Sequence, residues 1–170
     1  MTAEEFKINL LPLKNKLFGL AIRLLNNRQE AEDVVQEIYL KIWNMRENLS
    51  KYKSKEGLMV KMTYNLCLDR IKSKSNKFSS LSYDVSNDEN DSPHDHIERK
   101  ELVQKVKQLI NELPEQQKSI IHLRDIEGYD YDEIVDITGF KLNYIRVNLS
   151  RARKKIRETI QKIQYHEITK

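Results

Sequence analysis

Apolar positions recur along this chain three and four residues apart, the spacing of one helix face, and nowhere in sustained alternation. Leu10, Leu13, Leu17, Leu20 and Leu24 form a first stripe that ends near Asn26-Asn27. Ala31, Val34, Val35, Ile38, Tyr39, Ile42 and Trp43 form a second. After a basic stretch, Lys51-Tyr52-Lys53-Ser54-Lys55, closed by Gly57, a third helix carries Leu58, Met62 and Leu66 together with Val60, Tyr64, Cys67 and Ile71, and is apolar over much of its girth. A second block opens near Ile97. There Leu102, Val103, Val106, Leu109, Ile110 and Leu113 predict a helix that stops before Pro114. Pro114 suits the first turn of the next helix, and Glu115 complements its dipole. Ile120, Ile121 and Leu123 give that helix a buried face, and Gly128 breaks it. Asp130 or Asp132 can cap a short helix bearing Ile134, Val135 and Ile137. Gly139 permits a tight turn before a long last helix from about Leu142, whose seam Leu142, Ile145, Leu149, Ala152 and Ile156 steps by three, four, three and four.

These patterns predict an all-α fold. Four glycines and three prolines in 170 residues are few for a β-sandwich or for a phosphate-cradling α/β protein. Between the blocks, Ser86-Asn87-Asp88-Glu89-Asn90-Asp91-Ser92-Pro93 and its surroundings are polar, acidic and poor in large apolar residues, the composition of a flexible linker. The expected organisation is therefore two small helical domains, residues 4–75 and 98–165, joined by an acidic linker over 76–97. The single cysteine, Cys67, excludes an internal disulfide framework and a cysteine-rich zinc site. The absence of eighteen consecutive apolar residues excludes a transmembrane helix, and the acidic N-terminus does not resemble a secretory signal. A cytoplasmic protein is expected.

The net charge of +4 hides a sharp local asymmetry. Residues 118–138 carry a net −4, whereas residues 139–157 carry seven bases and no acid. A helix bearing only positive charge repels itself unless it meets an anionic surface, and a short helix, a glycine turn and a long basic helix compose a helix-turn-helix. On the face opposite the seam lie Asn143, Val147, Ser150, Arg151 and Lys154, flanked by Tyr144, Arg146 and Asn148. Arg146 can fork onto a guanine, Asn143 or Asn148 onto an adenine, and Val147 can touch a thymine methyl. Lys141, Arg151, Arg153 and Lys154 suit phosphates, which fix register without reading sequence.

The first block adds a resemblance. Ala31-Glu32-Asp33-Val34-Val35-Gln36-Glu37-Ile38-Tyr39-Leu40-Lys41-Ile42-Trp43 resembles region two of bacterial RNA polymerase sigma factors, especially the short extracytoplasmic-function (ECF) group of the sigma-70 family. Met62 to Lys72 is similar to that group's next helix, with Asn65 and Asp69 at matching places. In the second block, Leu113-Pro114-Glu115-Gln116-Gln117, Leu123-Arg124, Gly128-Tyr129, Glu133-Ile134 and Ser150-Arg151-Ala152-Arg153-Lys154-Lys155 resemble sigma region four in order and spacing. Leu58 departs from the pattern, where a tryptophan is common; so do Tyr64, where a base is usual, and Lys141, where Ser or Thr opens the recognition helix.

The resemblance implies a factor that makes no covalent change, needs no cofactor or metal, and works on core RNA polymerase and promoter DNA. Asp33, Gln36 and Glu37 would dock on the β′ clamp helices, and region four would bind the minus-thirty-five element as duplex and also the β flap. Region two would hold the melted minus-ten strand, for which Tyr52, Lys61, Tyr64, Asn65, Arg70 and Lys72 supply cations, ring faces and a base-edge contact. For Tyr64 core packing is the alternative; Asp69 is expected to orient Arg70, and Trp43 to lie in the core. Relatives of this kind are often held by an anti-sigma partner. A freestanding helix-turn-helix regulator is the rival reading. A metal site at His94, Asp95, His96 and Glu98 is disfavoured by its place in the linker.

Overall fold

The computed structural model describes residues 2–75 and 96–168, and among them every regular element is helical. The acidic linker and the His94–Glu98 cluster fall outside the residues whose side chains are described.

Helix α1 (Ala3–Asn9) is closed by a capping box in which Thr2 and Glu5 exchange hydrogen bonds, and its Phe6 packs edge-on against Tyr39 and Trp43. A 3-10 turn over Leu11–Leu13 leads into α2 (Lys14–Leu25). Asn26, in the left-handed region at φ 49°, ends α2, and the Asn27 side chain caps α3 (Arg28–Asn44) by accepting from Glu30 N–H. The predicted stop at Asn26-Asn27 is thus one residue for each job. A second 3-10 turn, Arg46–Lys51, precedes α4 (Lys55–Ser75). Gly57 does not close the basic stretch: it lies in the first turn of α4, where its N–H donates to Ser54 Oγ.

Helix α5 (His96–Asn111) ends ahead of Leu113, and Pro114 stands at the N-cap of α6 (Glu115–Ile121), one place before the first turn in which it was expected. The chain then widens into one π turn, His122–Ile126, before Gly128 at φ +77°. Asp130, in a capping box with Glu133, starts α7 (Tyr131–Thr138). Gly139, at φ +74°, ends it and aims the chain into α8 (Leu142–Ile168).

Two expectations change. Leu102 and Val103, read as part of a buried stripe, are exposed; α5 begins to turn inward at Val106, which is half-buried against the core, and is buried only at Ile110, with Leu113 buried just beyond its end. Helix α4 buries Met59, Val60, Thr63, Tyr64 and Cys67, while Leu58, Met62 and Leu66 are half-buried around them. Its wide apolar girth has a cause that lies outside its own block: α4 packs on α2 and α3 and also on α7 of the second block. With α2 packed on α6 as well, one continuous buried cluster runs from Phe6 to Ala152. The two helical groups are closed on one another.

Candidate nucleic-acid and polymerase interfaces

The basic helix α8 is held by Ile145, Leu149 and Ala152, all buried, which pack it on α6 and α7. Leu142 and Ile156, the ends of the predicted seam, are half-buried. At the start of α8 the Lys141 carbonyl receives Ile145 N–H, and the Thr138 hydroxyl accepts from Phe140 N–H within the turn. The outward face presents Lys141, Asn143, Tyr144, Arg146, Val147, Ser150, Arg151 and Lys154, all exposed. The Arg146 guanidinium lies 5.3 Å from the centre of the Tyr131 ring, and Tyr144 packs on Phe140 at 4.9 Å between rings. Both contacts limit side-chain freedom on the surface without burying the polar ends, which lowers the ordering cost of binding.

Two residues of the predicted set are engaged elsewhere. Asn148 is only 8% exposed: its amide donates to the Tyr144 carbonyl and its oxygen lies 3.4 Å from Gln117 Nε2. Of the two asparagines offered for an adenine, Asn143 is the one at the surface. Arg153 forms a two-pronged pair with Asp125 of the π turn, its Nε 2.9 Å from Oδ2, which ties α8 to the acidic half of the motif.

In the first block, Lys61, Asn65 and Lys72 follow one another at helical spacing on the exposed side of α4, and Tyr52 is exposed beside its start. Arg70 is not oriented by Asp69. It reaches Glu37 Oε2 at 3.2 Å and the Glu30 carbonyl at 3.3 Å, bracing α4 against α3. Tyr64 is 1% exposed, the largest fully buried side chain among the described residues, and its surroundings include Ser119 and Glu115 of α6 and Tyr144 of α8. Burial pushes its phenol up. Burial likewise pushes the Cys67 thiol up to about 12, which makes it unreactive.

The candidate docking face on α3 has Asp33 and Gln36 exposed and Glu37 half-exposed. Lys41 at 2.7 Å, and then Arg70, hold the Glu37 carboxyl below its ordinary value. Leu40, 64% exposed in the same stripe, was not singled out from the sequence. The signal was present: Leu40 falls out of phase with the buried Val34, Val35, Ile38 and Ile42 and in phase with Asp33 and Gln36. Trp43 is partly buried, stacked edge-on against Phe6 with Arg46 over its other side.

Comparison with known families fits this geometry. Sigma-70 region 2 matches residues 12–77, and Sigma-70, region 4 matches residues 104–156, in the order expected and over most of the chain. The chain belongs to the sigma-70 family, in its ECF group. Among curated proteins it is 28% identical to the ECF RNA polymerase sigma factor SigE of Mycolicibacterium smegmatis, over 87% of this chain and 58% of that one. It is 26% identical to the RNA polymerase sigma-H factor of Pseudomonas aeruginosa, over 92% of this chain and 86% of that one. The fold is that of the sigma factor RpoE solved with the anti-sigma factor NepR from Bartonella quintana, with a TM-score of 0.75, 22% identity, and 94% and 98% of the two chains covered. CnrH, solved with the cytosolic domain of CnrY, also aligns, with a TM-score of 0.66 at 16% identity. As an ECF sigma factor the chain recognises promoter DNA and directs transcription initiation with core RNA polymerase. No described helix is long and apolar enough to cross a membrane.

Proposed function

We propose that this sigma factor divides promoter recognition between two readers, residues 98–165 for the upstream element and residues 4–75 for the downstream one. The observation that carries the reading is the exposed, acid-free face of α8, set behind the Gly139 turn on a rigid base. Laid in the major groove of the minus-thirty-five element, it offers Asn143, Arg146 and Val147 to base edges. Lys141, Ser150, Arg151 and Lys154 face phosphates, with Tyr144 on the flank. Asn148 and Arg153 act from behind this layer, by shaping α8 and pinning it to the π turn.

The downstream reader is α4 with the approach to it. Lys61 and Lys72 follow the backbone of the melted minus-ten strand, Asn65 contacts a base edge, and Tyr52 offers its ring to an unstacked base, whereas Tyr64 belongs to the core. Arg70 serves chiefly to brace the helix. Core polymerase docks by its β′ clamp helices on Asp33, Gln36, Leu40 and Glu37, the apolar leucine giving affinity and its polar neighbours register. The β flap meets the second reader. The work is done in the cytoplasm, by binding, without covalent change to the chain. Because RpoE was solved with an anti-sigma factor, a partner of that kind is proposed here too.

Run-off transcription with purified core enzyme tests the reading. Added sigma factor should yield promoter-dependent transcripts, and Leu40→Asp should cut core affinity by roughly tenfold or more, as loss of an exposed interface anchor does. Normal transcription with Leu40→Asp would remove α3 as the docking face.

A further inference from the structure

The upstream reader carries a support behind its base-reading arginine. Tyr131 opens α7, and the reciprocal hydrogen bonds of Asp130 and Glu133 fix its backbone. Two guanidiniums lie over its ring, that of Arg124 at 4.7 Å from the ring centre and that of Arg146 at 5.3 Å. The first is tied in place. Arg124 Nη1 donates to the Tyr129 carbonyl at 2.7 Å, and Tyr129 N–H donates to the Leu123 carbonyl at 2.9 Å, so two bonds close the π turn and the Gly128 bend around Arg124. Arg124 and Tyr131 are half-buried and Arg146 is exposed, so the series runs from a fixed inner end to an outer end on the DNA face. Arg153, within electrostatic reach of Tyr131, is committed to Asp125 and does not compete for the ring.

An arginine on a bare helix surface has two ways to meet DNA. Its fork can align with a guanine edge, which requires the guanidinium to lie in the plane of the base pair. It can also swing to the nearest phosphate, which accepts the charge in many orientations and reads no sequence. The rotamer freedom of a long side chain favours the second. A ring face that already carries the guanidinium removes that freedom before binding. The contact engages the charge through the ring and leaves the in-plane N–H donors for a base.

We propose that Tyr131, anchored by Arg124, is a positioning residue for promoter recognition: its ring presets the Arg146 guanidinium for a base edge and turns a general cationic contact into a sequence-selective one. The inference deepens the reading of α8 as the upstream reader and rests on Arg146 facing bases. Tyr131 acts through Arg146 and not on the DNA. Its influence is therefore confined to the base pair that Arg146 meets, while the phosphate contacts of Lys141, Arg151 and Lys154 are independent of it.

Holoenzyme reconstituted from the full chain and core polymerase, with a promoter it selects from random duplex DNA, tests the proposal. Each base pair of the upstream element is substituted in turn, and the ratio of affinities for the selected and the substituted promoter is measured for every variant. Arg146→Ala should lower that ratio roughly tenfold or more at one base pair, as loss of a two-pronged guanine contact does. Tyr131→Leu and Tyr131→Met keep an apolar side chain in α7 and remove the ring. Both should lower the ratio about two- to fivefold at the same base pair, the size of an exposed cation–π contact, and leave the other positions unchanged. Tyr131→Phe, which restores the ring, should match wild type. On an Arg146→Ala background, Tyr131→Leu should add nothing. Wild-type discrimination in both variants without the ring, a loss spread evenly over the element, a loss in Tyr131→Phe as large as in Tyr131→Leu, or a further loss on the Arg146→Ala background would each overturn the positioning role. An even loss from Arg146→Ala would instead overturn the base reading beneath it.

Discussion

Helices α8 and α4 are matched to the same family and both are proposed to read promoter DNA, yet they meet solvent differently. The reading face of α8 is ready-made: its polar ends are exposed, its buried side is simple, and Arg146 rests on Tyr131 in a position it can keep when bound. Helix α4 has its ring, Tyr64, in the core and its arginine, Arg70, in an ion pair with Glu37 of α3. A duplex is a rigid partner that a preformed surface can meet, whereas a melted strand exists only after polymerase has opened the DNA.

The largest effect expected to break this contrast comes from acid. His122 is buried beside Gly19 of α2 with neither ring nitrogen hydrogen-bonded, and burial, then the nearby Arg23 charge, push its pKa down to about 4. Glu127, 3.5 Å from Nε2, is the acid that faces it, with Lys118 beyond Arg23 on the cationic side. Since the folded chain binds the proton less well than the unfolded chain, the fold is fully favoured above the ordinary histidine value of 6.5. That advantage is lost as pH falls toward about 4. The full shift corresponds to on the order of 3 kcal/mol, less whatever a Glu127 pair returns. Denaturant stability should fall through that window, and His122→Phe, which cannot titrate, should flatten the fall.

Next in size, Arg146→Ala should cost about 1–3 kcal/mol in upstream binding and relax preference at one base position. Arg151→Ala should weaken binding evenly across sequences and lower the salt slope by about 1. Competition against an upstream-element library at several salt concentrations separates the two; an even loss from Arg146→Ala would remove its base-reading role.

Third, Asp130→Ala removes the α7 cap and should cost about 1 kcal/mol of thermal or denaturant stability. Its effect should fall on the upstream reader, since α7 carries α8.

The smallest effect belongs to Asp125→Ala. The pair it breaks with Arg153 is about half-exposed and worth at most a few tenths of a kcal/mol in folding. Freed, Arg153 becomes available to a phosphate, so DNA affinity should rise slightly and grow steeper in salt. A fall in affinity would show that the pair positions α8 for reading.

How much of this was visible in the sequence depended on how many neighbours each element has. The α8 seam was legible because one face of a surface helix meets one partner, so its period survives; Ile145, Leu149 and Ala152 are buried as their spacing predicts. The turn chemistry was legible too, since Asp130 caps and Gly139 takes positive φ for local reasons. Helix α4 was legible only as a helix. Packed on α2, α3 and α7 at once, it lost the periodicity that would have set Met59 and Thr63 apart from Leu58 and Met62. The exposure of Leu102 and Val103 and the seating of His122 on Gly19 were hidden for the same reason, because pairings across the chain decide them. Within the candidate site, residue type and spacing found the surface, but Asn143 and Asn148 are one chemistry on two sides of a helix, and only packing separated them.

Selection of promoters from random duplex DNA by holoenzyme reconstituted from this chain and core polymerase, followed by footprinting with a probe for unpaired thymines, tests the central claim most directly. The account predicts two short elements at a fixed separation, the upstream one protected as duplex and the downstream one unpaired, with neither pattern produced by the chain alone. Enrichment of a single palindromic duplex site by the free chain, with no change when core polymerase is added, would contradict it.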